Sequence, residues 1–104
     1  MAGFKKVAHV DEIPLRRMKS FEIDFVNIVV CHTEDGFFAL VDECSHDSAP
    51  ISTGRINRKG QIVCPRHGAQ FDCKTGNVTH PPAVVGIDTF ELKIENDEIY
   101  VSIN

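Results

Sequence analysis

Two short segments, Cys44-Ser45-His46 and Cys64-Pro65-Arg66-His67, each pair one cysteine with one histidine, and 17 residues separate His46 from Cys64. Two thiolates and two imidazoles make a metal site. Any fold open to this chain must therefore carry two loops, distant in sequence, to a common point. Each segment offers one sulfur and one nitrogen, so the pair can place both sulfurs on one metal and both nitrogens on another.

The spacing departs from the usual zinc patterns, which draw on Cys-x(2-4)-Cys knuckles followed by His-x(3-5)-His on a helix. A gap of one residue between Cys44 and His46 is too tight for a helical pair and suits a loop. Pro65 and Gly68 keep the second segment irregular. A split of two cysteines and two histidines between two irons is the ligation of a Rieske 2Fe-2S cluster. A structural zinc module, with Cys44, His46, Cys64 and His67 on one ion, stays open as the alternative of another class.

The chain resembles the Rieske ferredoxins, in particular the small soluble ones of bacterial aromatic-ring dioxygenase systems. The resemblance spans nearly the whole chain. It rests on Cys44-x-His46, Cys64-Pro65-Arg66-His67-Gly68, Phe71-Asp72, Thr75-Gly76 and Pro81-Pro82-Ala83. It implies one 2Fe-2S cluster, with Cys44 and Cys64 on the inner iron and His46 and His67 on the outer iron, bound through Nδ1 with Nε2 facing solvent. It also implies the Rieske fold, an antiparallel β-sandwich with a small cluster-binding subdomain inserted at about residues 43 to 83. Pro81-Pro82 would form a loop capping the cluster, and Gly68 would let backbone amides approach a cluster sulfur.

The 104 residues suffice for one modest core, so a single domain over residues 1–104 is expected. The N-terminus lacks a long apolar run and no stretch of 18 apolar residues occurs. These features predict a cytoplasmic chain with no membrane anchor. A net charge of −4 disfavours nucleic acid and suits basic protein surfaces. The acidic pairs Asp11-Glu12, Asp42-Glu43 and Asp97-Glu98 contribute to it and are read as mostly solvated. Cys31 and Cys73 remain after the ligands; a reducing compartment makes them buried thiols rather than a disulfide.

Periodicity predicts an all-β chain of short strands. Candidate strands run from Phe4 to Val10, Lys19 to Phe25, Val26 to His32, Phe37 to Val41, Gly60 to Val63 and Gln70 to Cys73. Phe90, Leu92 and Ile94 alternate with charged residues, Asn96-Asp97 turns, and Ile99, Val101 and Ile103 alternate again. Asp11 to Leu15 is the one candidate helical turn. Gly54, Gly68 and Gly76 are expected at tight turns.

An oxidised cluster with two thiolates and two neutral imidazoles is uncharged, and one electron makes it singly negative. A four-cysteine cluster is more negative in both states and harder to reduce, so histidine ligation raises the potential. With every iron position filled by protein and sulfide, a carrier is expected rather than a catalyst. The respiratory Rieske branch has an extra cysteine in each box, where this chain has Ala49 and Arg66, and hydroxyl donors to cluster sulfurs where it has Ala69 and Phe71. Without those donors the potential is expected near the bottom of the Rieske range of roughly −150 to +300 mV. Its decline with pH is expected to begin at more alkaline values than in that branch.

The implied function is a one-electron carrier between a reductase and a terminal oxygenase, one that dihydroxylates an aromatic ring. A nitrite reductase or monooxygenase system is the nearest rival. Arg66 and Asp47 are candidate partner contacts at the tip, with solvated side chains and, for Asp47 and Ser48, ordinary turn chemistry as the plain alternative. His9, His32 and His80 lack ligand spacing and are read as surface or packing histidines.

Overall fold

The computed structural model describes residues 3–45, 49–65 and 68–103. Among them are ten strands and one 3-10 turn at Val10–Glu12. The strands are β1 (Lys5–His9), β2 (Met18–Ile23), β3 (Val26–Thr33), β4 (Gly36–Val41), β5 (Arg55–Ile56), β6 (Gln61–Val63), β7 (Gln70–Asp72), β8 (Val78–His80), β9 (Thr89–Glu95) and β10 (Glu98–Ser102). They form a six-stranded sheet in the order β1-β10-β9-β4-β3-β2 and a four-stranded sheet in the order β5-β6-β7-β8. Every pairing is antiparallel. The small sheet falls in the chain between β4 and β9 of the large one.

The large sheet coils until its two edges meet, so it approaches a closed barrel. Lys5 on β1 reaches Asp24 beside β2 at 3.0 Å, and a cleft lined by Lys5, Val7, Phe21 and Ile23 marks the remaining gap. Inside lie Ala8, Ile13, Ile23, Ile28, Val30, Ala39, Ile99 and Val101. A second core fills the seam between the sheets, where Val29, Cys31 and Leu40 meet Ile51, Ile56, Ile62, Phe71, Ala83 and Ile87.

β3 shows why both cores exist. Successive side chains of a strand point to opposite faces. Ile28 and Val30 therefore enter the barrel, while Val29 and Cys31 enter the seam, and all four are fully buried. Removing such a side chain from water stabilises by roughly 1.5–3 kcal/mol, so this strand anchors the small sheet to the large one.

Two hairpin turns use left-handed backbone at consecutive residues. Asn96 (φ 52°) and Asp97 (φ 62°) join β9 to β10 as the alternation predicts. Asp24 (φ 49°) and Phe25 (φ 68°) join β2 to β3, where the sequence reading ran a strand through Phe25. Phe25 is 95% exposed at the tip, so its strand preference is overridden by the turn. The helical turn forms slightly earlier than expected: His9 caps it, its Nδ1 accepting from the Asp11 amide at 3.1 Å while Glu12 accepts from the His9 amide at 2.8 Å.

Candidate metal centre

The two cysteine-histidine segments occupy loops that are closed alike. In the first, the Cys44 amide donates to the Ala49 carbonyl at 2.8 Å; in the second, the Cys64 amide donates to the Ala69 carbonyl at 2.7 Å. Each loop thus begins at a cysteine and closes five residues later at an alanine. In the second, the Gly68 amide also donates to the Cys64 carbonyl at 3.1 Å. Gly68 has φ +79°, a conformation that strains any residue with a Cβ.

Each loop is held from below. The second is the connection between β6 and β7, whose Val63↔Gln70 pairing sets its width. The first leaves β4 through hydrogen bonds from the Val41 amide to the Asp88 carbonyl and from the Asp42 amide to the Asn27 carbonyl, both 2.9 Å. Asp42 then grips the far end of the same loop: Oδ1 accepts from the Ser52 amide at 2.8 Å and Oδ2 from the Ser52 hydroxyl at 2.7 Å. Asp42 is an exception to the reading that most of the paired acidic side chains are solvated: it is buried. A buried carboxylate persists where its oxygens are hydrogen-bonded. The eight-residue interval from Cys44 to Ser52 was the available signal for a loop needing such a clasp.

Gly54 brings the loops together. A Cβ there would stand 2.0 Å from the Val63 carbonyl oxygen and 3.2 Å from Cδ of Pro65. Gly54 is therefore required by close approach; Gly68 and Gly76 have the positive φ of turns, and a Cβ at Gly76 would also stand 2.1 Å from the Ile87 carbonyl oxygen. A third segment leans on the first loop, with the Ser45 hydroxyl donating to the Val85 carbonyl. Pro81 and Pro82 are exposed in that segment, and Ala83 is buried in the seam.

Cys44 and Cys64 are buried in the same core, at the foot of their loops. His46 and His67 lie outside the described residues, as do Asp47, Ser48 and Arg66. Cys31 and Cys73 meet elsewhere in the seam and share a side-chain hydrogen bond, which together with burial pushes the Cys31 thiol well above its ordinary range. Among the described residues, no three His, Cys, Asp or Glu side chains gather at one point, so Cys31 and Cys73 do not join Cys44 and Cys64. The remaining histidines serve packing and turns: the His32 ring stacks on Phe37 at 3.9 Å with Nδ1 2.8 Å from the Ile13 carbonyl, and His80 Nδ1 lies 2.6 Å from the Pro81 carbonyl.

Residues 3–91 match the Rieske 2Fe-2S domain family. The chain belongs to the Rieske family. Its Rieske domain is 32% identical over 95 residues to human apoptosis-inducing factor 3, covering 91% of this chain and 16% of that protein. The chain thus spans under a fifth of that relative. It is 31% identical over 98 residues to the 3-phenylpropionate/cinnamic acid dioxygenase ferredoxin subunit of Photorhabdus laumondii, covering 94% and 92% of the two chains. Among solved structures, the ferredoxin of carbazole 1,9a-dioxygenase from Nocardioides aromaticivorans IC177 superposes with a TM-score of 0.93 at 26% identity, covering 99% of this chain and 100% of that one. The all-β expectation and the two-sheet Rieske architecture hold. The cofactor of a Rieske domain is one 2Fe-2S cluster, and the residues present fit it: two buried thiols, soft donors suited to iron-sulfur ligation, stand at the base of two loops of matching closure.

Proposed function

We propose that Cys44, His46, Cys64 and His67 hold the Rieske cluster and that the chain is a low-potential carrier moving single electrons from a reductase to a terminal oxygenase. The observation that carries this reading is the pair of alike loops, each with a buried cysteine at its start and a histidine in its span. The cluster supplies reversible one-electron chemistry when bound. The chain's own residues do the rest. Asp42 and Ser52 fix the first loop, Gly54 fixes its distance from the second, and the segment through Val85 covers its flank.

The residues around the cluster loops support a low potential. Ala69 and Phe71 are fully buried beside the second loop and neither carries a hydroxyl. Hydrogen bonds to cluster sulfurs favour the more negative reduced form, so their absence lowers the potential. Support for a protein partner comes from the rim: Val84 is 85% and Val85 63% exposed beside the first loop. Exposed apolar residues at such a place suit a transient docking surface. That the partner is an oxygenase acting on an aromatic ring follows the relatives named as dioxygenase ferredoxins. No helix among the described residues is long and apolar enough to cross a membrane. We place the carrier in the cytoplasm, where Cys31 and Cys73 stay reduced.

The test is an electron paramagnetic resonance spectrum before and after dithionite, with a redox titration on the same anaerobic sample. A silent oxidised form, a rhombic reduced signal with average g about 1.9, and a midpoint near the lower end of the roughly −150 to +300 mV range are expected. A colourless protein with stoichiometric zinc and no acid-labile sulfide would overturn the reading.

A further inference from the structure

The bases of this acidic chain are not evenly neutralised. Lys5, Lys6, Lys19, Lys93 and Arg16 each pair with a carboxylate at the surface. Arg17, Arg55, Arg58, Lys59 and Lys74 make no ion pair among the described residues, although the chain carries a net charge of −4, and of these Arg17 and Arg55 lie together. Both are exposed, and both line one cleft of about 300 Å³ at the joint between the two sheets, together with Arg16 and Ser52. Among the described residues, no carboxylate lines it.

The backbone beneath this cleft is fixed. The Arg16 amide donates to the His32 carbonyl at 2.6 Å, and the His32 amide donates to the Arg17 carbonyl at 3.0 Å. Arg55 is paired with Val63, the residue before Cys64. Arg55 and Gly54 also line a neighbouring cleft of about 420 Å³ that reaches Val63, Cys64, Pro65 and Gly68, again with no carboxylate among the described residues. A surface with Arg16, Arg17 and Arg55 at the joint therefore continues, through Arg55, to the flank of the second cluster loop.

We infer that this surface docks a carboxylate-rich segment of a redox partner protein, a reading that rests on the carrier function proposed above. The guanidinium fork matches carboxylate geometry. An open, elongated surface fits a peptide segment rather than a single small anion. Such a contact aligns the partner beside Cys64 through local charge complementarity.

The test uses the cluster-loaded protein and fluorescein-labelled hexaglutamate, followed by anisotropy at an ionic strength of about 150 mM, where charges act over only about 8 Å and local contacts are separated from net charge. Arg17→Glu with Arg55→Glu is expected to weaken binding by about tenfold or more. Arg58→Glu with Lys59→Glu makes the same change in net charge at exposed residues of the β5–β6 turn that make no ion pair among the described residues and is expected to leave binding within about threefold. Should the first pair fail to fold by circular dichroism, Arg17→Gln with Arg55→Gln replaces it, with the same direction expected. No binding by the parent protein, or equal losses in the two pairs, would overturn the proposal. So would displacement of the peptide by inorganic phosphate far better than by chloride at matched ionic strength, which would mark a small-anion site. Cluster absorbance of the parent protein is read separately: a parent that takes up no cluster on reconstitution with iron and sulfide, yet binds the peptide, would defeat the carrier reading and leave the docking surface standing.

Discussion

Cys31 and Cys73 occupy the seam as neighbours, and their hydrogen bond and burial hold the Cys31 thiol protonated far above its ordinary value. The thiolate is the reactive form, so Cys31 in the native protein is expected to resist iodoacetamide at about pH 8 and to react once the chain is unfolded. Mass spectrometry of labelled peptides checks this; rapid native labelling of Cys31 would contradict the packing. Cys44 and Cys64 were recognisable in the sequence because ligand spacing is local, and Cys31 and Cys73 because strand-like surroundings mark a packed cysteine. Asp42 did not stand out from the solvated majority, since an acidic residue beside Glu43 looks solvated until Ser52 folds back on both its oxygens. Arg17 and Arg55 carried no local signal at all, being brought together only by the packing of one sheet on the other.

Elements long enough to alternate were readable, and those held by neighbours were not. β9 and β10 follow directly from the spacing of Phe90, Leu92, Ile94, Ile99 and Val101. β5, with two residues, and β8, with three, are too short to show a period and exist because β6 and β7 offer them ladder partners. Gly54, at the entrance to β5, is where this dependence is most exposed to test. A methyl group there meets the Val63 carbonyl at 2.0 Å, a backbone atom that cannot swing aside. Gly54→Ala should force β5 from β6 and spread the two cysteine loops, at a cost of about 1–3 kcal/mol or more by analogy with overpacked cores. Iron and acid-labile sulfide per chain should fall together with the melting temperature. An alanine variant with full cluster content and unchanged melting would show that the loops do not depend on this approach.

Across the whole molecule, the near-barrel is tied at its surface by charge. Lys6 joins β1 to Glu98 of β10 at 3.0 Å, Lys19 of β2 reaches Glu12 of the 3-10 turn at 3.0 Å, and Arg16 Nε reaches Glu34 of the β3–β4 turn at 3.0 Å. Each of these carboxyls sits below its ordinary value of 4.5: Glu12 first through the His9 amide and then Lys19, Glu34 first through Arg16, and Glu98 first through Lys6. Lys6 is correspondingly raised above 10.5 by its hydrogen bond to Glu98. A carboxyl whose folded value is depressed stabilises the fold fully above 4.5 and loses that contribution as pH falls through the folded value. A raised lysine contributes fully below 10.5 and loses its contribution as pH climbs through the higher folded value. Stability from these pairs is therefore a plateau with an acid edge and an alkaline edge. All the groups are exposed, so each effect is small and screened by salt. Glu12→Gln, Glu34→Gln and Glu98→Gln combined should flatten the fall in melting temperature between about pH 5 and pH 3.5 relative to the parent, and about 1 M salt, with a Debye length near 3 Å, should shrink the difference. Both chains keep the same cluster loops, so acid loss of the cluster contributes equally to each and cancels in the comparison. Identical slopes at low salt would mean that the barrel edges are held by the Lys5–Asp24 contact and the inner core alone.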